Sequence, residues 1–256
     1  MDRPLALITG ASGGIGLDLA RNAASDGYDV VLMARRRDVL EAAAGEIASR
    51  YRVSASVIAD DLTDPAAPAR VIRAIDRPID VLINNAGFGI VGPFAETEPA
   101  ELDAMVALNI GALTALTRLV LPGLLERKRG GILNVASIAG FLSGPNLAVY
   151  FATKNYVLAL SEALAEEVAG SGVTISVLCP GPVATGFQER AGVGGSKMKN
   201  MAMMDSATCA KIGWAGFRSH KRVIVPGASN KALAQIPRLL PRRLMTHMVG
   251  RAQAPS

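Results

Sequence analysis

The regular alternation of short apolar runs with longer amphipathic stretches constrains this chain more than any other feature. Residues 5–9, 29–34, 54–59, 81–84, 131–136, 173–178 and 222–225 are short and aliphatic, and read as strands. Between them, residues 14–26, 37–50, 66–75, 101–128, 147–169 and 206–217 repeat their apolar positions at helical spacing. A further helix is expected over 231–250, interrupted at Pro237 and Pro241, because proline lacks the donor N–H and crowds the preceding turn. Strands 5–9, 81–84 and 173–178 are apolar at successive positions, as strands buried on both faces must be. Strands that alternate with helices pair in parallel through helical crossovers. The expectation is an α/β fold, a doubly wound parallel sheet of about seven strands in one domain over 1–256. Half of the residues are apolar and only 4% are aromatic, so the core must be aliphatic.

The same reading limits the function classes. The start, Met1-Asp2-Arg3-Pro4, carries no charged-then-apolar leader pattern. No unbroken run of about 18 apolar residues is present, so no spanning helix is expected. Cys179 and Cys209 lack metal-ligand spacing and read as two reduced thiols in a cytoplasmic protein, with no metal site. The net charge of +5 is misleading, because residues 206–256 hold nine Lys and Arg and no Asp or Glu. The first 205 residues carry 22 acidic against 18 basic side chains, so a nucleic-acid partner is not expected. Residues 228–256 form a basic extension in which Leu233, Leu239, Leu240 and Leu244 interleave with Lys231, Arg238, Arg242 and Arg243. Such a pattern can pack on its own domain, on another subunit of a homo-oligomer, or on an anionic membrane surface.

The first strand runs into Thr9-Gly10-Ala11-Ser12-Gly13-Gly14-Ile15-Gly16 and then into a helix. Glycine lets backbone turn tightly and approach a pyrophosphate, and the helix N-terminus offers free N–H groups. A dinucleotide that sits there meets the end of the second strand, where an Asp or Glu would bind the ribose hydroxyls of NAD. This chain reads Ala34-Arg35-Arg36-Arg37 instead. Guanidinium groups suit a 2′-phosphate, so NADP(H) is the expected cofactor, with Arg35 the first candidate and Arg36 the second. Further along, Tyr150 and Lys154 stand four residues apart, on one helix face, and Ser137 ends the fifth strand. Reduction of a ketone leaves an alkoxide that needs a proton. Tyr150 can supply it if the Lys154 ammonium favours ionisation, and Ser137 can hold the developing oxyanion.

These residues, in this order, resemble the short-chain dehydrogenase/reductase superfamily over about residues 4–185, and the rest more weakly. Within it, the chain looks like the branch of bacterial NADP-dependent reductases, and more loosely like steroid and 3-ketoacyl reductases. The resemblance implies a Rossmann-type fold and a cofactor site built from Gly10, Ser12, Gly14, Ile15 and Gly16. It implies that Asp61 meets the adenine, with Leu62 beside it, and that Asn84-Asn85-Ala86-Gly87 lines the adenosine ribose and steadies the sheet. It implies that Pro180, Gly181, Val183 and Thr185 hold the carboxamide, that Lys154 holds the nicotinamide ribose beside Tyr150, and that Asn109 holds a relay water behind Lys154. Substrate contacts are expected from 87–92, 140–146 and a lid over 186–205, including Phe88, Phe141, Leu142, Leu147, Phe187, Met198, Met201, Met203 and Met204. That apolar surface favours a small hydrophobic carbonyl or alcohol. An epimerase or dehydratase on the same fold, a nucleotide sensor and a membrane-associated scaffold are the alternatives.

Overall fold

The computed structural model describes residues 3–185 and 203–253. Seven parallel strands lie in the order β3-β2-β1-β4-β5-β6-β9. They are β1 (Leu5–Thr9), β2 (Asp29–Ala34), β3 (Ala55–Ala59), β4 (Val81–Asn84), β5 (Gly131–Val135), β6 (Thr174–Leu178) and β9 (Val223–Ile224). The fold class and every expected strand are therefore present, with ends displaced by a residue or so. β1 pairs with β2 on one side and with β4 on the other, in the register Ile8↔Leu32 and Ile8↔Ile83. The chain changes direction across the sheet there, and a crevice opens beyond the carboxyl ends of β1 and β4.

Helices cover both faces because each offers one apolar side. On one face α1 (Gly14–Ser25), α2 (Arg37–Tyr51) and α7 (Ser206–Arg218) contribute Leu19, Leu40, Ile47, Trp214 and Phe217 to a core with Ile8, Leu32 and Leu178. Asp205 starts α7 by accepting the Thr208 N–H at 2.7 Å. On the other face α3 (Ala67–Arg73), α5 (Leu113–Arg127) and α6 (Ala148–Glu167) bury Val71, Leu116, Val120, Leu124 and Ala165 against Leu7, Leu82 and Ile132.

The stretch expected as one helix over 101–128 is continuous, but its middle is not α-helical. α4 (Pro99–Val106) passes through a π turn, Ala107–Ala112, into α5. The whole Pro99–Arg127 helix is 29 residues long and contains an 18-residue window with a mean hydropathy of 1.7, long and apolar enough to cross a membrane by length and composition. The same property is met by core helices, and 39% of that window is buried inside the protein. An unbroken apolar run is a stricter test than mean hydropathy, and polar residues such as Asn109 and Thr117 interrupt the run. Its buried face, Leu113, Leu116, Thr117, Val120 and Leu124, packs inside the protein.

The expected break at the prolines is found: α8 (Ala228–Gln235) gives way to a 3₁₀ turn, Ile236–Arg238, and α9 (Arg242–Gln253) follows Pro241. Of the expected lid, residues 186–202, with Phe187, Met198 and Met201, lie outside the described residues. Its described end forms a short strand: β8 (Met204–Asp205) pairs with β7 (Val183–Ala184). Met204 is partly buried and packs against the α1–α7 core.

Candidate active site

Most of the expected cofactor residues, and Ser137, follow the carboxyl ends of β1 to β6, which the topology carries to one edge of the sheet, while Tyr150 and Lys154 lie on α6 and Asn109 in the π turn. Gly10 turns with φ +67°, and a Cβ there would come 2.7 Å from Asn85 Nδ2 and 2.9 Å from Ala86 Cα. At Gly16 a Cβ would lie 2.3 Å from the same Nδ2 and 2.5 Å from the Gly10 carbonyl oxygen. The turn after β1 is thus pressed against the segment after β4. Asn85 fastens them, its Nδ2 donating to the carbonyls of Thr9 at 3.0 Å and Gly10 at 3.2 Å. Thr9 Oγ1 returns the contact by accepting the N–H groups of Asn85 and Ala86, each at 3.0 Å. Thr9 was not singled out in the sequence, where it is an ordinary strand end. Among the described residues no side chain caps Gly13 at the N-terminus of α1, a place where helix amides have no partner within the helix. Ser12 and Ile15 lie in this turn, Ile15 packing on the core beneath. A cradle without Cβ atoms above uncapped amides fits a pyrophosphate.

Arg35 follows β2 with its side chain 63% exposed, and its Nη1 lies 3.9 Å from Asp61 Oδ2. Arg36, also exposed, is the residue that precedes α2. Asp61 Oδ1 accepts the Thr63 N–H at 3.0 Å and its hydroxyl at 2.9 Å, while Leu62 is buried in the core below. Asp64, not Asp61, makes the local turn bond to Ala66 N–H, at 2.9 Å. Asn84 points into the sheet, donating to Asn134 Oδ1 at 2.9 Å and to Thr117 Oγ1 at 3.1 Å. Its place is structural. Thr185 approaches the glycine turn from the far side, its Cγ2 2.9 Å from where a Gly14 Cβ would stand. Pro180 accepts the Ile138 N–H through its carbonyl, Gly181 lies against Asn230, and Val183 is buried in β7.

Ser137, two residues beyond β5 and in extended backbone, starts the 3₁₀ turn Ile138–Phe141, its Oγ accepting the Ala139 N–H at 3.1 Å. Tyr150 stands in the first turn of α6, hydrogen-bonded to Ser137. Burial pushes its phenol up to about 12, and the Ser137 bond pulls weakly the other way. Lys154 is buried one turn on, with Nζ 5.8 Å from the Tyr150 ring centroid and donating to the Val135 carbonyl at 3.0 Å. Burial lowers its pKa to about 8. Burial disfavours the charged form of both groups, the phenolate of Tyr150 and the ammonium of Lys154. Tyr150 is therefore held as a neutral phenol, the form that gives a proton.

Asn109 lies in the π turn, almost fully buried, and its amide is fully engaged. It accepts the Phe88 N–H at 3.1 Å and donates to the Phe88 carbonyl at 2.9 Å and to Thr153 Oγ1 at 3.1 Å. Thr153 in turn donates to the Tyr150 carbonyl at 2.8 Å. The side chain of Asn109 thus binds the Gly87–Phe88 strand end to the catalytic helix. Gly87 faces both partners, 3.0 Å from Asn109 Oδ1 and 3.4 Å from Lys154 Nζ as its Cβ would stand. Leu142, Leu147, Phe151, Tyr150 and Val91 form an apolar cluster, which Val249 of α9 joins. The sequence reading missed Thr153 and Val249: a threonine inside a helix and a valine a hundred residues away carry no local signal.

The chain matches the family described as short chain dehydrogenase over residues 4–193. It is 35% identical over 209 residues to the ketoacyl reductase HetN of Nostoc, covering 80% of this chain and 73% of that one. It is 33% identical over 220 residues to a very-long-chain 3-oxoacyl-CoA reductase of Pyrenophora tritici-repentis, covering 82% of this chain but only 64% of the relative's length. A short-chain dehydrogenase from Sphingobium yanoikuyae in complex with NADPH superposes with a TM-score of 0.84, at 32% identity and over 99% of both chains.

Proposed function

We propose that this chain, which belongs to the short-chain dehydrogenase/reductase family, is an NADP(H)-dependent oxidoreductase that interconverts a hydrophobic ketone or aldehyde with its alcohol. The observation that carries this reading is the convergence of Ser137, hydrogen-bonded to Tyr150, and of Lys154 Nζ, 5.8 Å from the Tyr150 ring, in a chain that also carries the glycine turn. The glycine turn and α1 amides would hold the pyrophosphate, and Arg35 the 2′-phosphate. When bound, the nicotinamide supplies the hydride. The Ser137 hydroxyl orients the carbonyl oxygen, and the Tyr150 phenol gives its proton to that oxygen as the negative charge develops. Lys154, charged below about 8, stabilises the phenolate left behind. The apolar cluster around Leu142, Leu147 and Val249 favours an aliphatic substrate, in keeping with relatives named as ketoacyl and 3-oxoacyl reductases.

A panel of ketones and 3-ketoacyl thioesters with NADPH, followed at the nicotinamide absorbance, tests the reading. Tyr150→Phe is expected to lower turnover by roughly 10²–10⁴-fold, the usual contribution of such an acid, while NADPH affinity is kept. A variant that retains more than about a tenth of the activity contradicts the role of Tyr150. We further infer a homo-oligomer in the cytoplasm. The supports are the exposed Val106, Leu119 and Leu125 on the Pro99–Arg127 helix and two buried, unpaired thiols. In the basic extension, Met245 and Val249 turn inward and Leu244 and Met248 outward, which suits a subunit contact and leaves an anionic membrane as the second reading.

A further inference from the structure

Asn155 follows Lys154 directly and does not face the crevice. Its Nδ2 lies 2.8 Å from the Leu142 carbonyl oxygen, 3.1 Å from that of Ala139 and 2.9 Å from that of Phe151. The third is one turn back on its own helix, and the first two belong to the 3₁₀ turn that Ser137 begins. Ala139 is consequently held through both of its backbone groups, its N–H by Ser137 Oγ and its carbonyl by Asn155. A second observation places the same contact under tight steric control. Gly140, at the centre of that turn, would put a Cβ 2.7 Å from the Lys154 carbonyl oxygen and 3.4 Å from Leu158 Cβ. The turn thus rests directly on α6 backbone, and Asn155 is the polar side chain that fastens it there.

We propose that Asn155 is a positioning residue for the reaction: by donating to Ala139 and Leu142 it fixes the Ser137 hydroxyl relative to Tyr150. It also fixes the wall that carries Phe141 and Leu142. The proposal rests on the carbonyl-reductase reading only for its kinetic part. Three carbonyl oxygens around one amide need a donor, which gives a chemical test. Asn155→Asp keeps the shape and removes both N–H groups. As a carboxylate it repels the three oxygens; protonated, it restores one donor, and such surroundings raise its pKa.

The experiment measures kcat, ketone KM and NADPH affinity for Asn155→Ala and Asn155→Asp. Hydrogen exchange of the amides from Ile138 to Leu142 is followed in parallel. Both variants should lose about 100-fold in kcat at neutral pH, the cost of a roughly 1 Å misplacement, with NADPH affinity within about twofold of the parent. Exchange over the turn should rise. Asn155→Asp should regain several-fold in kcat relative to the parent at about pH 5–6, where the carboxyl gains a proton, and Asn155→Ala should not. Parent-like kcat in Asn155→Asp at neutral pH would overturn the proposal, as would an equal loss in NADPH affinity or no acid recovery. Should Asn155→Ala not fold, Asn155→Asp alone decides through its pH profile. If the parent reduces no ketone, the functional reading fails, and unchanged exchange in Asn155→Asp remains the result that would overturn the positioning role.

Discussion

Lys154 is the residue whose ionisation falls in the working pH range. Its ammonium is needed against the Tyr150 phenolate, and burial lowers its pKa to about 8, whereas Tyr150 stays protonated to about 12. Ketone reduction at saturating NADPH is therefore expected to be flat below about 8 and to fall above it, and a profile that stays flat to about pH 10 would contradict this. Stability runs the other way. The unfolded lysine keeps its proton to about 10.5 and the folded one releases it above about 8. Between these values the unfolded state binds more protons, so this group makes stability rise with pH. Arg35 is legible in the sequence by type, and the structure adds that its ion pair with Asp61 is loose and exposed, at 3.9 Å. An exposed pair is worth little, so the guanidinium is free to bind a phosphate. Arg35→Asp should weaken NADPH binding by roughly 10–150-fold, the worth of a charge-assisted hydrogen bond, and improve NADH binding. Fluorescence titration of both cofactors reads this, and a parent that binds NADH as well as NADPH would refute the assignment.

Among the elements, those with a strong period were read correctly and those set by distant contacts were not. β1, β2 and β4 have the expected bounds because their runs are apolar on both faces and end at Gly10, Arg35 and Asn85. The π turn within Pro99–Arg127 has no such signature. It exists where Asn109 is drawn to Phe88 and Thr153, two segments far away in sequence. β7 and β8 escaped for a similar reason: two residues each, they have no period, and only their pairing defines them. The glycine turn is an element whose spacing is visible and whose tightness is not. Gly16→Ala would drive a Cβ into Asn85 Nδ2 and the Gly10 carbonyl. It should cost about 1–3 kcal/mol of stability, the usual cost of overpacking, and weaken NADPH binding. Urea melts and cofactor titration would show it, and a variant unchanged in both would mean that the turn relaxes freely.

For the whole molecule, the helix Pro99–Arg127 is the unresolved balance: one side is buried in the protein, and Val106, Leu119 and Leu125 are exposed. If these residues meet another copy, light scattering should give a mass that is a multiple of 26.6 kDa. Leu119→Glu should shift it towards one copy, since a buried unpaired carboxylate is costly. A parent that is a monomer at micromolar concentration would end that reading. The strand–helix alternation, the glycine spacing, the arginines after β2 and the Ser137, Tyr150, Lys154 set are local chemistry, so the amino-acid sequence alone determined the fold class and the family. The charge state of Tyr150, the structural use of Asn84 and Asn109, and the grip of Asn155 on the Ser137 turn were decided only by tertiary structure. Burial and hydrogen-bond partners are properties of the space between segments, and that space is set when the sheet closes around its crossovers.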